Sequence, residues 1–175
     1  MIFMNEINLL YNQTKDTYQW VQRLLQDVPE DQWGYTPNIV NTNLSWQIGH
    51  LVISYYYHSI LVIKGHDMNV LSTVPIKEYA EWYTYTFSPD ESARHQTPEH
   101  LQTALRHVAE ASLSTIHELT PETLSAALEP SRQPHPVAST KREALYWNIK
   151  HTFWHCGQIA LWRRTLGVPV DFGLF

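Results

Sequence analysis

The chain of 175 residues sets 12 Lys and Arg against 17 Asp and Glu, a formal charge of −5 with no basic run. That argues against nucleic acid, whose phosphates are met by clustered Lys and Arg, and against a peripheral membrane role. Its length suits one domain over residues 1–175 with a core of its own, and 43% hydrophobic residues exclude disorder.

The N-terminus, MIFMNEINLL, has an early acid and no basic segment, so it does not read as a signal peptide. A first helix is expected over about residues 3–27, because Phe3, Ile7, Leu10, Thr14, Val21, Leu24 and Val28 recur at helical spacing. Pro29 ends it. After an Asn-rich loop, Asn43 caps a second helix over about 44–64, with Ile48, Leu51, Tyr55 and Val62 on its buried face and Gly65 as its stop. Its most apolar stretch, Leu51 to Ile63, falls short of the roughly 20 residues a membrane span needs, so it is a core helix.

Residues 66–96 form a long connection rich in aromatics. A structureless loop of that length is unusual in a compact domain, so a short helix is expected near Pro75–Tyr83. Thr97-Pro98-Glu99 opens a third long helix, whose stripe is Leu101, Leu105, Val108, Ser112 and Leu119. A short helix and a Pro-rich loop follow. Thr140 and Glu143 then form a capping box for a fourth long helix over about 141–166, which Gly167 and Pro169 stop. No strand pattern or internal repeat is visible. The fold expected is all-α, a four-helix bundle with a long crossover after helix 2.

His151 and His155 stand four apart on the last helix, hence on one face one turn apart. Imidazole nitrogens in that arrangement can grip a borderline divalent cation. With ten histidines in the chain, chance supplies roughly half of one such pair, so the spacing also fits two partly buried core histidines. His50 lies on the second helix, on a face with Trp46, Ser54, Tyr57 and Leu61. The His151 face includes Trp147 and Gln158. If these faces meet, three imidazoles converge in an aromatic pocket. His58 falls about 80° off the His50 face by the 3.6-residue period and reads as structural or as a partner just outside the site. His95, His100, His107, His117 and His135 read as solvated, and Cys156 as a small core residue. That single cysteine rules out an internal disulfide and suits a reducing cytoplasm.

NLSWQIGHL, followed far downstream by HTFWHCGQIALWRRTLG, resembles the DinB/YfiT-like superfamily. The H-x3-H-x-GQ pattern of that family falls on His151, His155, Gly157 and Gln158, and its second-helix histidine, preceded by a small residue, on His50. The LRR-x-LG-x-P ending is matched by Leu161, Arg163, Arg164, Leu166, Gly167 and Pro169, with Trp162 interrupting it. Cys156 departs from a position where the family often has Arg. The resemblance implies an up-down-down-up bundle, a metal held by His50, His151 and His155, and a homodimer. It does not imply DNA binding.

Three neutral histidines leave a divalent ion an open coordination position, the catalytic type. Such an ion activates water, or holds a thiol as thiolate. The resemblance implies both uses. Some members are metal-dependent transferases or isomerases using low-molecular-weight thiols such as bacillithiol or mycothiol, and others are labelled hydrolases. The expected function is a thiol S-transferase acting on small electrophiles, with zinc or nickel as the metal. The alternatives are a metal-dependent hydrolase and a non-catalytic metal-binding bundle. Trp46, Tyr57, Trp147 and Trp154 are the candidate pocket wall, and Gln158 a candidate for orienting a ligand. No carboxylate shares the histidine faces, so no general base is named.

Overall fold

The computed structural model describes residues 5–171. Helix α1 (Glu6–Leu25) starts where the Asn5 side chain accepts the Ile7 amide, 3.1 Å away. Its stripe of Ile7, Leu10, Thr14, Val21 and Leu24 is buried as the periodicity requires; Phe3 lies outside the described residues. The helix ends before Pro29, and Asp27 turns the chain in the left-handed region at φ 59°.

Asn43 caps α2 (Leu44–Tyr56) by accepting the Trp46 amide at 2.9 Å, while its own amide group holds the Pro89 carbonyl at 2.8 Å. The helix then widens into a π-helical turn over Tyr57–Leu61 before α3 (Val62–Lys64), which Gly65 closes at φ 89°. A uniform helix over 44–64 was the expectation. The wide turn changes the phase of every side chain after Tyr56, and such turns cluster at functional sites.

The long connection holds three short helices, α4 (Met68–Leu71), α5 (Ile76–Trp82) and α6 (Pro89–Ser92). The second is the expected one. It lies across α2, with Tyr79 and Tyr83 buried against the bundle. Then come α7 (Pro98–His117), capped by Thr97, α8 (Pro121–Leu124), and α9 (Lys141–Thr165), opened by the Thr140–Glu143 capping box. Among the described residues there is no strand, only one isolated bridge between Ala127 and Thr140. Among the described residues no helix is long and apolar enough to cross a membrane.

Side-chain bonds fix the directions. Arg142 pairs with Glu6 at one end of α1, at 2.8 Å, and Arg163 reaches the Leu24 and Gln26 carbonyls at the other, at 2.9 and 2.7 Å, so α1 and α9 are parallel. Tyr11 meets His117, and Tyr18 meets Ser112, so α7 is antiparallel to α1. Gln47 reaches Gln158 and Ser54 reaches His151, so α2 is antiparallel to α9. The order is therefore up-down-down-up. Because α2 and α7 run the same way, the chain between them must travel the length of the bundle, which explains the long crossover.

The buried Arg163 gives the Arg-Arg ending a physical role. Its guanidinium satisfies carbonyls at the end of α1 and also bonds the Val168 carbonyl, tying the two parallel helices and the terminal turn together. In the bundle's middle, Tyr18 stacks on Tyr55 at 3.9 Å, and its hydroxyl joins Ser112 and Asn148 at 2.8 and 2.9 Å. Burial raises the Tyr18 pKa, keeping that hydroxyl neutral.

Candidate metal centre

The antiparallel pairing of α2 and α9 brings the two distant histidine segments together. One nitrogen each from His50, His151 and His155 falls within 4.8 Å of the others. Between rings, His50 lies 5.4 Å from His151 and 4.9 Å from His155, and His151 lies 4.6 Å from His155. His155 is buried, the other two half-buried.

The Nδ1 atoms of all three rings are engaged, which decides what the Nε2 atoms offer. His50 Nδ1 lies 2.9 Å from the Tyr83 carbonyl oxygen. A carbonyl only accepts, so His50 carries its proton on Nδ1 and shows a lone pair at Nε2. His155 Nδ1 donates to the Gln47 side-chain oxygen. His151 Nδ1 lies 2.7 Å from the Ser54 hydroxyl, which can turn to donate or accept. The Nε2 atoms of His151 and His155 face each other at 3.1 Å. Two lone pairs at that separation need a proton or a cation between them. Without a cation, His151 is the ring that takes the proton on Nε2, because Ser54 can then donate to its Nδ1.

This donor set fits a divalent ion. Two ligands on tetrahedral zinc, each about 2.0–2.1 Å from it, stand about 3.3–3.4 Å apart, close to the distance seen. Partners on the far ring nitrogen are the usual outer shell of a histidine metal site. Burial lowers the pKa of His50 against a smaller opposing effect of the Tyr83 carbonyl. It pushes His151 down to about 4, and drives His155 well below the ordinary range, with neighbouring imidazoles adding to both. All three rings are thus neutral at pH 7, the form that ligates. Among the described residues no carboxylate or thiol joins the group. Cys156 sits in the apolar core beside α1, and burial raises its thiol to about 12.

Trp46 lies flat on His50, with ring centres 4.9 Å apart and planes 4° from parallel. Trp147 stacks on His151 at 5.8 Å. Tyr57 sits one step further out, stacked on His135 at 5.6 Å. Gln158 bonds Gln47 at 2.7 Å and so reaches the centre through one intermediate. Trp154 stands 65% exposed on the outer face of α9 with Phe153 and Leu161, away from the three rings.

Two of the histidines expected to be solvated, His107 and His135, are half-buried, and His58 stands just outside the three rings. His58 sits 5.6 Å from His151 and bonds His135 at 2.8 Å, because it lies in the π-helical turn, where the regular period does not apply. His135 is half-buried rather than solvated, its Nδ1 accepting the amides of Val137 and Ala138 at 3.3 and 3.0 Å. Gln47 was not among the residues expected at the site. It is three residues before His50 and buried at 1% exposure, and a polar residue at that spacing on an apolar helix was the available signal.

Gly49 lets the crossover reach the centre. A Cβ there would lie 2.3–2.5 Å from the Tyr83 ring, whose backbone carbonyl holds His50. Gly49→Ala improves helix propensity by up to about 1 kcal/mol, but overpacking costs about 1–3 kcal/mol. The expected result is a lower urea midpoint together with weaker zinc binding, as Tyr83 is displaced. A variant with wild-type values for both would refute this role.

No curated protein matches the chain. Among solved structures, a conserved protein from Enterococcus faecalis superposes with a TM-score of 0.69 over 93% of this chain and 97% of its own, at 16% identity, a likeness of fold. The family model described as the DinB superfamily matches residues 13–159, from within α1 to within α9 and including all three histidines, and the chain belongs to that superfamily.

Proposed function

We propose that the chain is a metal-dependent enzyme, a transferase that joins the sulfur of a low-molecular-weight thiol to a small electrophile. The observation that carries the metal is the convergence of His50, His151 and His155 with every Nδ1 engaged and every ring neutral. Zinc or nickel suits three imidazoles. Three protein ligands with no fourth among the described residues fit a site that keeps a position for an exogenous molecule.

When bound, such an ion acts as a Lewis acid that lowers the pKa of a thiol held near it. The chain's own residues orient and shield. Tyr83, Ser54 and Gln47 lock the three rings, while Trp46 and Trp147 cover the outer faces of His50 and His151. Among the described residues no carboxylate joins the three rings as a base, so the thiol proton leaves to solvent. A thiol cosubstrate is consistent with a cytoplasmic place.

The test uses protein reconstituted with zinc or nickel, a cysteine-class thiol and 1-chloro-2,4-dinitrobenzene. The thiol sulfur attacks the chlorinated carbon, a C–S bond forms, the C–Cl bond breaks and chloride leaves. The rate should exceed that of metal-stripped protein and of His155→Ala, and return when metal is restored. Equal rates with and without metal would overturn the reading. Metal-dependent hydrolysis of a p-nitrophenyl ester without thiol transfer would establish the hydrolase alternative instead.

A further inference from the structure

A cleft of about 290 Å³ adjoins the centre, lined among others by Thr42, Trp46, Gln47, Tyr85, Phe87 and Gln158. None of its described lining side chains is charged. Its polarity follows from His155. With Nε2 turned to the centre, His155 donates from Nδ1, so the oxygen of the Gln47 amide must face it. The Gln47 nitrogen then points the other way, donating to the Thr42 hydroxyl at 3.0 Å and to the Gln158 oxygen at 2.7 Å. Thr42 has accepted and retains its own hydrogen to give. The Gln158 oxygen accepts from Gln47, and among the described residues its amide nitrogen has no protein partner. The chain of bonds therefore runs one way, from the histidine to the cleft, and ends in donors.

We infer that this cleft is a subsite for an oxygen acceptor, the carboxylate or amide carbonyl of a small molecule, bound by the Gln158 amide and the Thr42 hydroxyl beside a wall that includes Trp46 and Phe87. Three features select that chemistry. The Gln158 amide and the Thr42 hydroxyl each keep a hydrogen to give, whereas an ammonium or guanidinium group finds there only the second lone pairs of two oxygens that already accept from Gln47. The aromatic wall favours a ligand with an apolar body. Trp46 belongs to both the cleft wall and the His50 stack, which makes the two sites contiguous. The inference rests on the proposed function for its meaning, since the subsite would hold the polar arm of a substrate whose reacting atom lies at the histidines. The bond polarity itself holds in the metal-free protein as well, where His151 rather than His155 carries the Nε2 proton.

The test compares phenylacetate, phenylacetamide and 2-phenylethylamine by calorimetry on zinc-loaded and metal-stripped protein. Phenylacetate and phenylacetamide should bind both forms, and 2-phenylethylamine at least tenfold more weakly. Gln158→Glu keeps the shape and still accepts from Gln47, but turns the donor into an acceptor. It should weaken phenylacetate about tenfold or more and strengthen 2-phenylethylamine. Thr42→Val should weaken phenylacetate several-fold, with thermal melts showing both variants folded. Equal binding of amine and carboxylate, or an unchanged phenylacetate affinity in folded Gln158→Glu, would overturn the subsite. The two readings fail separately. Binding that needs Gln158 and survives in His50→Ala supports the cleft whatever the metal does. Binding lost in His50→Ala and kept in Gln158→Glu places the carboxylate on the ion and overturns the cleft.

Discussion

Purified wild-type protein should carry close to one zinc or nickel per chain, and His50→Ala, His151→Ala and His155→Ala should each lose most of it. Each ring supplies one of the three nitrogens that lie within 4.8 Å of one another, and no described carboxylate or thiol stands by to replace it. Removing an outer partner should cost less. Gln47→Leu takes the acceptor from His155, a loss of about 10–100-fold in affinity. Ser54→Ala should fall at the low end of that range, because its hydroxyl is the adaptable member of the set. Metal content by elemental analysis and affinity by competition with a chelator are the measurements. Full occupancy in all three histidine variants would remove the centre. Metal should also stabilise the wild type by mass action, by about 4 kcal/mol at a thousandfold excess over Kd, a gain expected to vanish in His50→Ala.

The metal-free protein should lose stability as pH falls from about 6.5 toward 4. His50, His58, His151 and His155 all have pKa values pushed below the ordinary imidazole range, each with burial as the largest cause. Above about pH 6.5 these rings are neutral in both the folded and the unfolded chain and contribute nothing to the pH dependence. Below it the unfolded chain takes up protons that the folded chain refuses, so folding weakens until the folded pKa is reached. For His151 that window closes at about 4. A gap of about 2.5 units sets an upper bound of roughly 3 kcal/mol from this ring, trimmed by its partial exposure. A domain of this size has about 5–15 kcal/mol in total, so several such rings together should unfold it in mild acid.

Carboxylates act in a different window. Glu143, bonded to the Ser139 and Thr140 amides, has its carboxyl lowered to about 2, so its contribution is present above the usual carboxylate range and is lost only at lower pH. The fall between pH 6.5 and 5 therefore reports the imidazoles. Urea midpoints across that range measure it. A midpoint that stays flat would contradict neutral burial of these rings. With zinc bound, the loss should be steeper, since protons then compete with the ion as well.

Much of the bundle was legible because local rules and global packing agree. The stripe on α1, the Asn43, Thr97 and Thr140 caps, and Gly65 and Gly167 at positive φ each place a helix end or face without reference to the rest of the chain. The i, i+4 placement of His151 and His155 is likewise a property of one helix. The π-helical turn was not legible, since nothing in Tyr57–Leu61 departs from ordinary helix-forming sequence. That one wide turn is why the regular period put His58 away from its neighbours.

By itself the sequence determined four helices, their faces and three histidines able to ligate, since helical period and capping are short-range chemistry carried by side-chain identity. Only the tertiary structure decided that the faces meet, that Tyr83 and Gln47 set the protons on His50 and His155, and that Ser54 meets His151. The reason is physical: a backbone carbonyl has no signature in the sequence, and which amide or hydroxyl reaches which nitrogen depends on how α2, the crossover and α9 pack to within hydrogen-bonding distance.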